Sequence, residues 1–174
     1  MSLYEFEGKR PVIDPSAFVH PEAKVIGGVT IAANCYIGPG AVLRGDWGNI
    51  IIGEGSNVQE NCVIHAAPDI TAELGPASHI GHSAIVHGAK LGEHVMVGMG
   101  AIIDEEVEIG NGCLIGAAAF VPRGTKIPAM KIVLGVPAKI SGDVTKNHEE
   151  YTWWATRTYQ TLPERCRKGL KRID

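Results

Sequence analysis

The feature that most constrains this chain is an accent every six residues. Ile13, Val19, Val25, Ile31, Ile37 and Leu43 follow one another at steps of six, and all are aliphatic. The series resumes at Ile52, Val58 and Ile64, and again at Ile80 and Val86. After one step of five it runs on through Leu91, Val97, Ile103, Ile109, Ile115, Val121, Ile127 and Val133. A helix would repeat at three and four, and a half-buried strand alternates at two without a six-residue accent. Four residues after each aliphatic stands something compact, as at Ala23, Cys35, Ala41, Cys62, Ala84, Ala101, Cys113 and Ala119. Gly often follows the aliphatic directly, as at Gly38, Gly53, Gly81, Gly98, Gly110 and Gly116. Aromatic residues make up only 6% of a chain that is 45% hydrophobic, so any core must be built from aliphatic side chains.

From about residue 11 to residue 140 this pattern resembles the hexapeptide-repeat superfamily. The resemblance implies an all-β solenoid, a left-handed parallel β-helix. Each hexapeptide would form one side of a triangular prism, and three would make a coil of 18 residues with the aliphatic inside. Glycine would serve the corners, where backbone angles are awkward for a residue with a Cβ. Cys35, Cys62 and Cys113 fall at the compact inward position and are expected in the core, not as ligands. The period breaks twice. Leu43 to Ile52 is nine residues, and Ile64 to Ile80 is sixteen. The second break, residues 66–78, is expected to project as a loop, and loops on a rigid scaffold often carry function.

The pattern stops after Pro137. The chain divides into a β-helix domain over residues 1–140 and a C-terminal helical segment over 141–174. Asp143 to Thr145 offers N-caps for an α-helix running to about Gln160. Thr161 and Glu164 read as a capping box, with Pro163 early in a second short helix over 165–170. Such a helix can cover the end or flank of a solenoid, which accounts for Trp153 and Trp154.

The net charge of −3 and the absence of a basic stripe argue against nucleic acid or an acidic membrane as partner. No apolar run is long enough to span a bilayer. The opening Met1 to Gly8 lacks the basic and apolar regions of a secretory leader, which points to the cytoplasm.

Four of the seven histidines, His65, His79, His82 and His87, lie close together in sequence. His65 and His87 each follow a core aliphatic and are 22 residues apart, one coil plus a four-residue insertion. They should stack on adjacent coils and point outward. His82 has a different phase and belongs around the corner. One prism cannot easily bring all three to one ion, but neighbouring prisms can. His82 of one subunit would meet His65 and His87 of the next, and three subunits would close the ring. Three neutral imidazoles with an open position suit Zn2+ used to activate water, and Fe2+ or Co2+ would also fit. His20, His94 and His148 are expected as surface or interface groups, and His79 as a bystander.

Around these residues the chain resembles the γ-class carbonic anhydrases. The matching elements are Arg44-Gly45-Asp46, then Asn57-Val58-Gln59-Glu60, then His65, then His82 and His87. The resemblance implies that the three histidines bind the metal and that Gln59 hydrogen-bonds the bound water or bicarbonate. Arg44 and Asp46 would pair beside a trimer interface, and Asp46 and Glu60 would orient the ligands. The stretches Ala41–Ile50 and His79–Gly88, with the tail Tyr159, Gln160, Arg165, Cys166 and Leu170, resemble more narrowly the phenylacetate-degradation PaaY and carnitine-operon CaiE branch. Trp47 stands where the archetypal anhydrases have a proton-shuttling Glu, so Glu73, Tyr159 or a histidine would have to substitute. Tyr159 either reaches the site from the terminal helix or packs there.

These features order the expected activities. Reversible hydration of CO2 to bicarbonate in a homotrimer comes first. Hydrolysis of an acyl-CoA thioester by the same metal site follows. A non-catalytic scaffold and a hexapeptide acyltransferase come after.

Overall fold

A computed structural model describes residues 2–174. The chain winds as a left-handed parallel β-helix with three flat sides and ends in two helices. One side carries the strands Phe18–Val19, Tyr36–Ile37, Asn57–Val58, His79–Ile80, Met96–Val97 and Leu114–Ile115, each hydrogen-bonded to its neighbour one coil away. A second side stacks Val63–His65, Ile85–His87, Ile102–Ile103 and Phe120–Val121 above the first half of Val42–Ile52. The third stacks Thr71–Leu74, Lys90–Leu91, Glu108–Ile109 and Lys126–Ile127. The last two sides form one continuous sheet because Lys24–Ile31 and Val42–Ile52 run unbroken around the corner between them.

The accented aliphatics fill the prism. Val25, Leu43, Ile64, Val86, Ile103 and Val121 are fully buried in one column, and Ile37, Val58, Ile80, Val97 and Ile115 in another. Truncating one of them to Ala would cost about 2–5 kcal/mol, because the packed columns above and below hold the cavity open. Cys35, Cys62 and Cys113 are buried free thiols, as their phase requires.

Two expectations about the solenoid need correction. The first concerns residues 66–78, which do not project as one loop. Thr71–Leu74 is a strand of the third side, in register with Asn49–Ile52, and Ala66, Ala72 and Leu74 are buried. Leu74 restores the six-residue accent before Ile80, so the extra chain is confined to the corner at 66–70. The second concerns glycine. Glycine does serve the left-handed corners, as at Gly40, Gly55, Gly100 and Gly112, where it alternates with residues such as Asn34, Asn61 and Ser83, whereas Gly53, Gly81 and Gly98, which directly follow the aliphatics, have ordinary φ. These glycines serve the approach of one coil to the next. A Cβ on Gly53 would lie 2.6 Å from the Gly75 carbonyl carbon, and one on Gly98 would lie 2.5 Å from the Ala117 nitrogen.

After Lys131–Gly135 the chain turns back as Ala138–Asp143, antiparallel to it. Helix α1 (Lys146–Gln160) then lies along the flank of the first side, and α2 (Leu162–Gly169) follows. Gln160 Nε2 donates to the Gly55 carbonyl at 3.0 Å, and Trp153 stacks on His94 with ring centroids 3.7 Å apart. His94 is therefore buried against the helix instead of lying on the surface. His148 caps α1, its Nδ1 accepting from the Thr145 N–H at 3.1 Å. The capping box expected at Thr161 does not form. Thr161 is helical in φ and ψ, and its hydroxyl donates to the Thr158 carbonyl, so the chain bends between helices without a fresh N-cap. Trp154 is 64% exposed and covers no core. No helix among the described residues is long and apolar enough to cross a membrane.

Candidate metal centre

Equal phase on neighbouring coils brings His65 and His87 together. Arg44, His65 and His87 occupy one register column on the second side. His65 Nδ1 lies 3.0 Å from His87 Nε2, and the rings tilt at 35°. The other nitrogen of each ring faces a carboxylate. His65 Nε2 lies 3.1 Å from Asp46 Oδ1, and His87 Nδ1 lies 3.1 Å from Glu105 Oε1. Asp46 is itself held by Arg44, at 2.5 Å, and by the Trp47 N–H, at 3.0 Å. Burial pushes the Asp46 carboxyl up, but the bonds from Arg44, Trp47 and His65 outweigh it and hold its pKa below the usual carboxylate value. Burial pulls His65 below the usual imidazole value against the opposing pull of Asp46.

His82 stands apart, around the corner, as its phase requires. Its Nδ1 is 2.5 Å from Glu60 Oε2, and its Nε2 is 3.4 Å from the Tyr159 hydroxyl. Tyr159 thus reaches from α1 to this imidazole. Its own hydroxyl pKa is raised, by burial first and by Glu60 second. All three imidazoles therefore share one design, with one nitrogen on a carboxylate and the other turned away from it. Asp46 and Glu60 were foreseen as orienting groups, but Glu105 was not. The count gave no such signal, since His87 is one residue after the accented Val86 whereas Glu105 is two after its register partner Ile103.

The donor set fits a cation. Carboxylate partners fix the N–H on His65 Nε2 and on His87 Nδ1, leaving two lone pairs facing each other at 3.0 Å. Facing lone pairs repel unless a proton or a metal lies between them. Burial disfavours the proton on His65. Among the described residues, no three His, Cys, Asp or Glu side chains converge as a metal site within one chain. His65 and His87 supply two donors. His82, with its side chain 42% exposed, does not join them in the same protomer.

Gln59 is buried beside this arrangement, bonded to His79 and Asn57 and to none of the three histidines. His79 lies under α1 and contacts both amides. Glu73 points outward from the third side in register with Lys90, so it cannot serve as a proton shuttle for these histidines in its own protomer. Trp47, 62% exposed, stands next to Asp46. A cavity of about 310 Å³ opens between His82 and α1, lined by Gln59, Met96, Met99, Tyr151, Trp154 and Tyr159 among others.

Comparisons with known proteins agree with the fold. The bacterial transferase hexapeptide pattern of six repeats matches residues 10–45 and 88–123. The carnitine operon protein CaiE of Salmonella typhimurium is 45% identical over 170 residues, which is 98% of this chain and 86% of the relative. The chain belongs to the hexapeptide-repeat family, on the CaiE branch. CaiE of a Proteus strain is 41% identical over the same share. Two solved structures superpose closely on this CaiE relative. One is a hexapeptide transferase family protein from Anaplasma phagocytophilum, with a TM-score of 0.90 and 33% identity over 94% of this chain and 96% of that one. The other is a Bacillus cereus protein provisionally assigned as an acetyltransferase, with a TM-score of 0.94 and 30% identity over 96% and 97%.

Proposed function

We propose that this CaiE relative is a homotrimeric metalloenzyme of γ-carbonic-anhydrase type. His65 and His87 of one protomer and His82 of a neighbour would hold the ion at each of three interfaces. The observation that carries this is the pair of ring nitrogens on His65 and His87, facing each other at 3.0 Å with each ring backed by a carboxylate on its other nitrogen. Trp47 and the partly exposed His82 give the neighbouring protomer an apolar and a ligating contact on the surfaces that must meet.

Zn2+ is the ion that three neutral imidazoles suit best, and when bound it lowers the pKa of a water to about 7 and polarises a carbonyl. Fe2+ or Co2+ is compatible with the same donors. The protein's own residues do the rest. Asp46, Glu60 and Glu105 hold the imidazole N–H groups, so each ring presents its lone pair inward. Gln59 offers its amide to the nucleophile. Arg44 keeps Asp46 ionised. Tyr159 stands against His82, where it can pass a proton toward solvent in place of the glutamate that Trp47 replaces. The substrate of this reaction is CO2 and the product bicarbonate.

Hydrolysis of an acyl-CoA thioester is a second reading, and two observations favour it. The cavity beside His82 is much larger than CO2 requires and is walled by Met96, Met99, Tyr151 and Trp154. The family's transferase relatives also lie nearer to acyl chemistry than to a lyase. In this reaction water adds to the thioester carbonyl, the C–S bond breaks, and the thiol leaves with a proton.

One preparation tests both. Anaerobically purified protein is analysed for metal and then assayed by stopped-flow CO2 hydration and by thiol release from a panel of acyl-CoAs. Metal-proportional hydration supports the first reading, and metal-proportional thiol release alone supports the second. Turnover that survives complete metal removal overturns both.

A further inference from the structure

Beneath α1 lies a closed triangle of polar side chains. Gln59 Nε2 is 2.9 Å from Asn57 Oδ1 and 2.7 Å from His79 Nε2. Asn57 Nδ2 is 3.2 Å from His79 Nδ1. Asn57 and Gln59 are 1% exposed and His79 is 8% exposed, and the Tyr159 ring closes the triangle edge-on at 5.1 Å. Register explains the meeting, because His79 sits on the coil above Asn57 in the same column.

The triangle has a parity. If the Gln59 amide nitrogen faces the imidazole, Asn57 must turn its oxygen to Gln59 and its nitrogen to His79, so both amides offer donors to the ring. If both amides reverse, both offer acceptors, and a neutral ring, with one N–H and one lone pair, again bonds only one of them; the structure holds the first arrangement. A neutral imidazole accepts one bond and no more. Burial holds His79 neutral, with a pKa lowered to about 4. The shorter contact, at 2.7 Å, is the bond that the neutral ring keeps, with Gln59 donating to Nε2. Gln59 Oε1 then makes no protein hydrogen bond. Nor is it among the sealed, unpartnered atoms of the described residues, so it opens onto the cavity that Gln59 lines.

We propose that His79 is a positioning residue that locks the Gln59 amide with its carbonyl oxygen toward the cavity. That oxygen accepts from the water nucleophile, whereas a reversed amide would present donors and oppose the same water. The role rests on the proposed hydrolytic or hydration chemistry at His65, His82 and His87, but the orientation of the amide is a property of the protein alone.

The test therefore reads the amide as well as the rate. In a 15N spectrum of the metal-loaded protein, the Gln59 side-chain pair is assigned by its loss in Gln59→Leu. Wild type should show one Gln59 amide proton shifted downfield and slow to exchange, and His79→Phe should lose both properties. Trimer and metal content should not change. kcat should fall about tenfold with KM unchanged, and should fall no further when His79→Phe is added to Gln59→Ala. His79→Asn, which keeps an acceptor, should recover part of the rate. Identical Gln59 amide signals in wild type and His79→Phe overturn the proposal. So does an equal rate loss in the Gln59→Ala background, or imidazolium 15N shifts for His79 in wild type. If His79→Phe does not fold, the wild-type and His79→Asn spectra decide. If wild type turns over neither CO2 nor acyl-CoA, the proposed function fails, and the amide spectrum still decides the role of His79.

Discussion

Two sides of the same prism carry stacked polar pairs, and they have opposite fates. On one, His65 and His87 sit in register, backed by Asp46 and Glu105 and partly open to solvent. On the other, Asn57 and His79 sit in register with the same spacing of 22 residues, backed by amides and sealed under α1. The repeat builds both columns alike. What differs is the cover. A side left bare keeps its imidazoles available to another subunit, while a side roofed by a helix must satisfy its polar atoms internally. The first column is suited to hold a ligand and the second to hold a side chain still.

The sharpest way to break this contrast is at the bridging imidazole. His82→Ala removes the donor that we assign to the neighbouring column. It should reduce metal content and turnover together by at least about a hundredfold, while His79→Phe leaves metal content intact. Metal analysis on the two variants side by side checks it. Equal metal loss in both would dissolve the distinction between the columns.

The next effect is on stability in acid. His79 carries an ordinary value of 6.5 unfolded and about 4 folded. Above the unfolded value neither state binds the proton, so burial exacts no penalty. As pH falls from 6.5 toward 4, the unfolded chain takes up a proton that the folded protein refuses, and stability declines by roughly 3 kcal/mol in all. Urea unfolding at several pH values should show this decline in wild type. The slope should be flatter in His79→Phe by that amount.

A smaller effect tests the open column. Glu105→Gln cannot accept the His87 N–H as a carboxylate does, and should weaken metal affinity about 10–100-fold with little change in stability. Competition with a chelator measures it. The smallest effect is expected from Tyr159→Phe, which removes the 3.4 Å contact to His82 and keeps the ring over His79. Turnover at limiting buffer should fall by about threefold, roughly the worth of one weak hydrogen bond, and metal content should stay unchanged.

Much of this arrangement was legible in the order of residues. The six-residue accent assigned a side of the prism to His65, His82 and His87, and placed Cys35, Cys62 and Cys113 inside. Phase is a local property, so a strict repeat carries it over the whole solenoid. Glu105 was not legible by the same count, because the five-residue step before Leu91 sets it one place out of phase with His87. The rest could not be read that way. A break in the period says how many residues are extra but not at which corner they leave, so Leu74 returned to the core where a long loop was expected. The tight glycines depend on the distance between coils, which no single coil contains. Above all, the docking of α1 is a contact between segments far apart in the chain, as in the stack of Trp153 on His94 and the reach of Tyr159 to His82. Sequence by itself determined which residues share a side. Only the tertiary structure decided which side is covered, because cover depends on where the last helices come to rest.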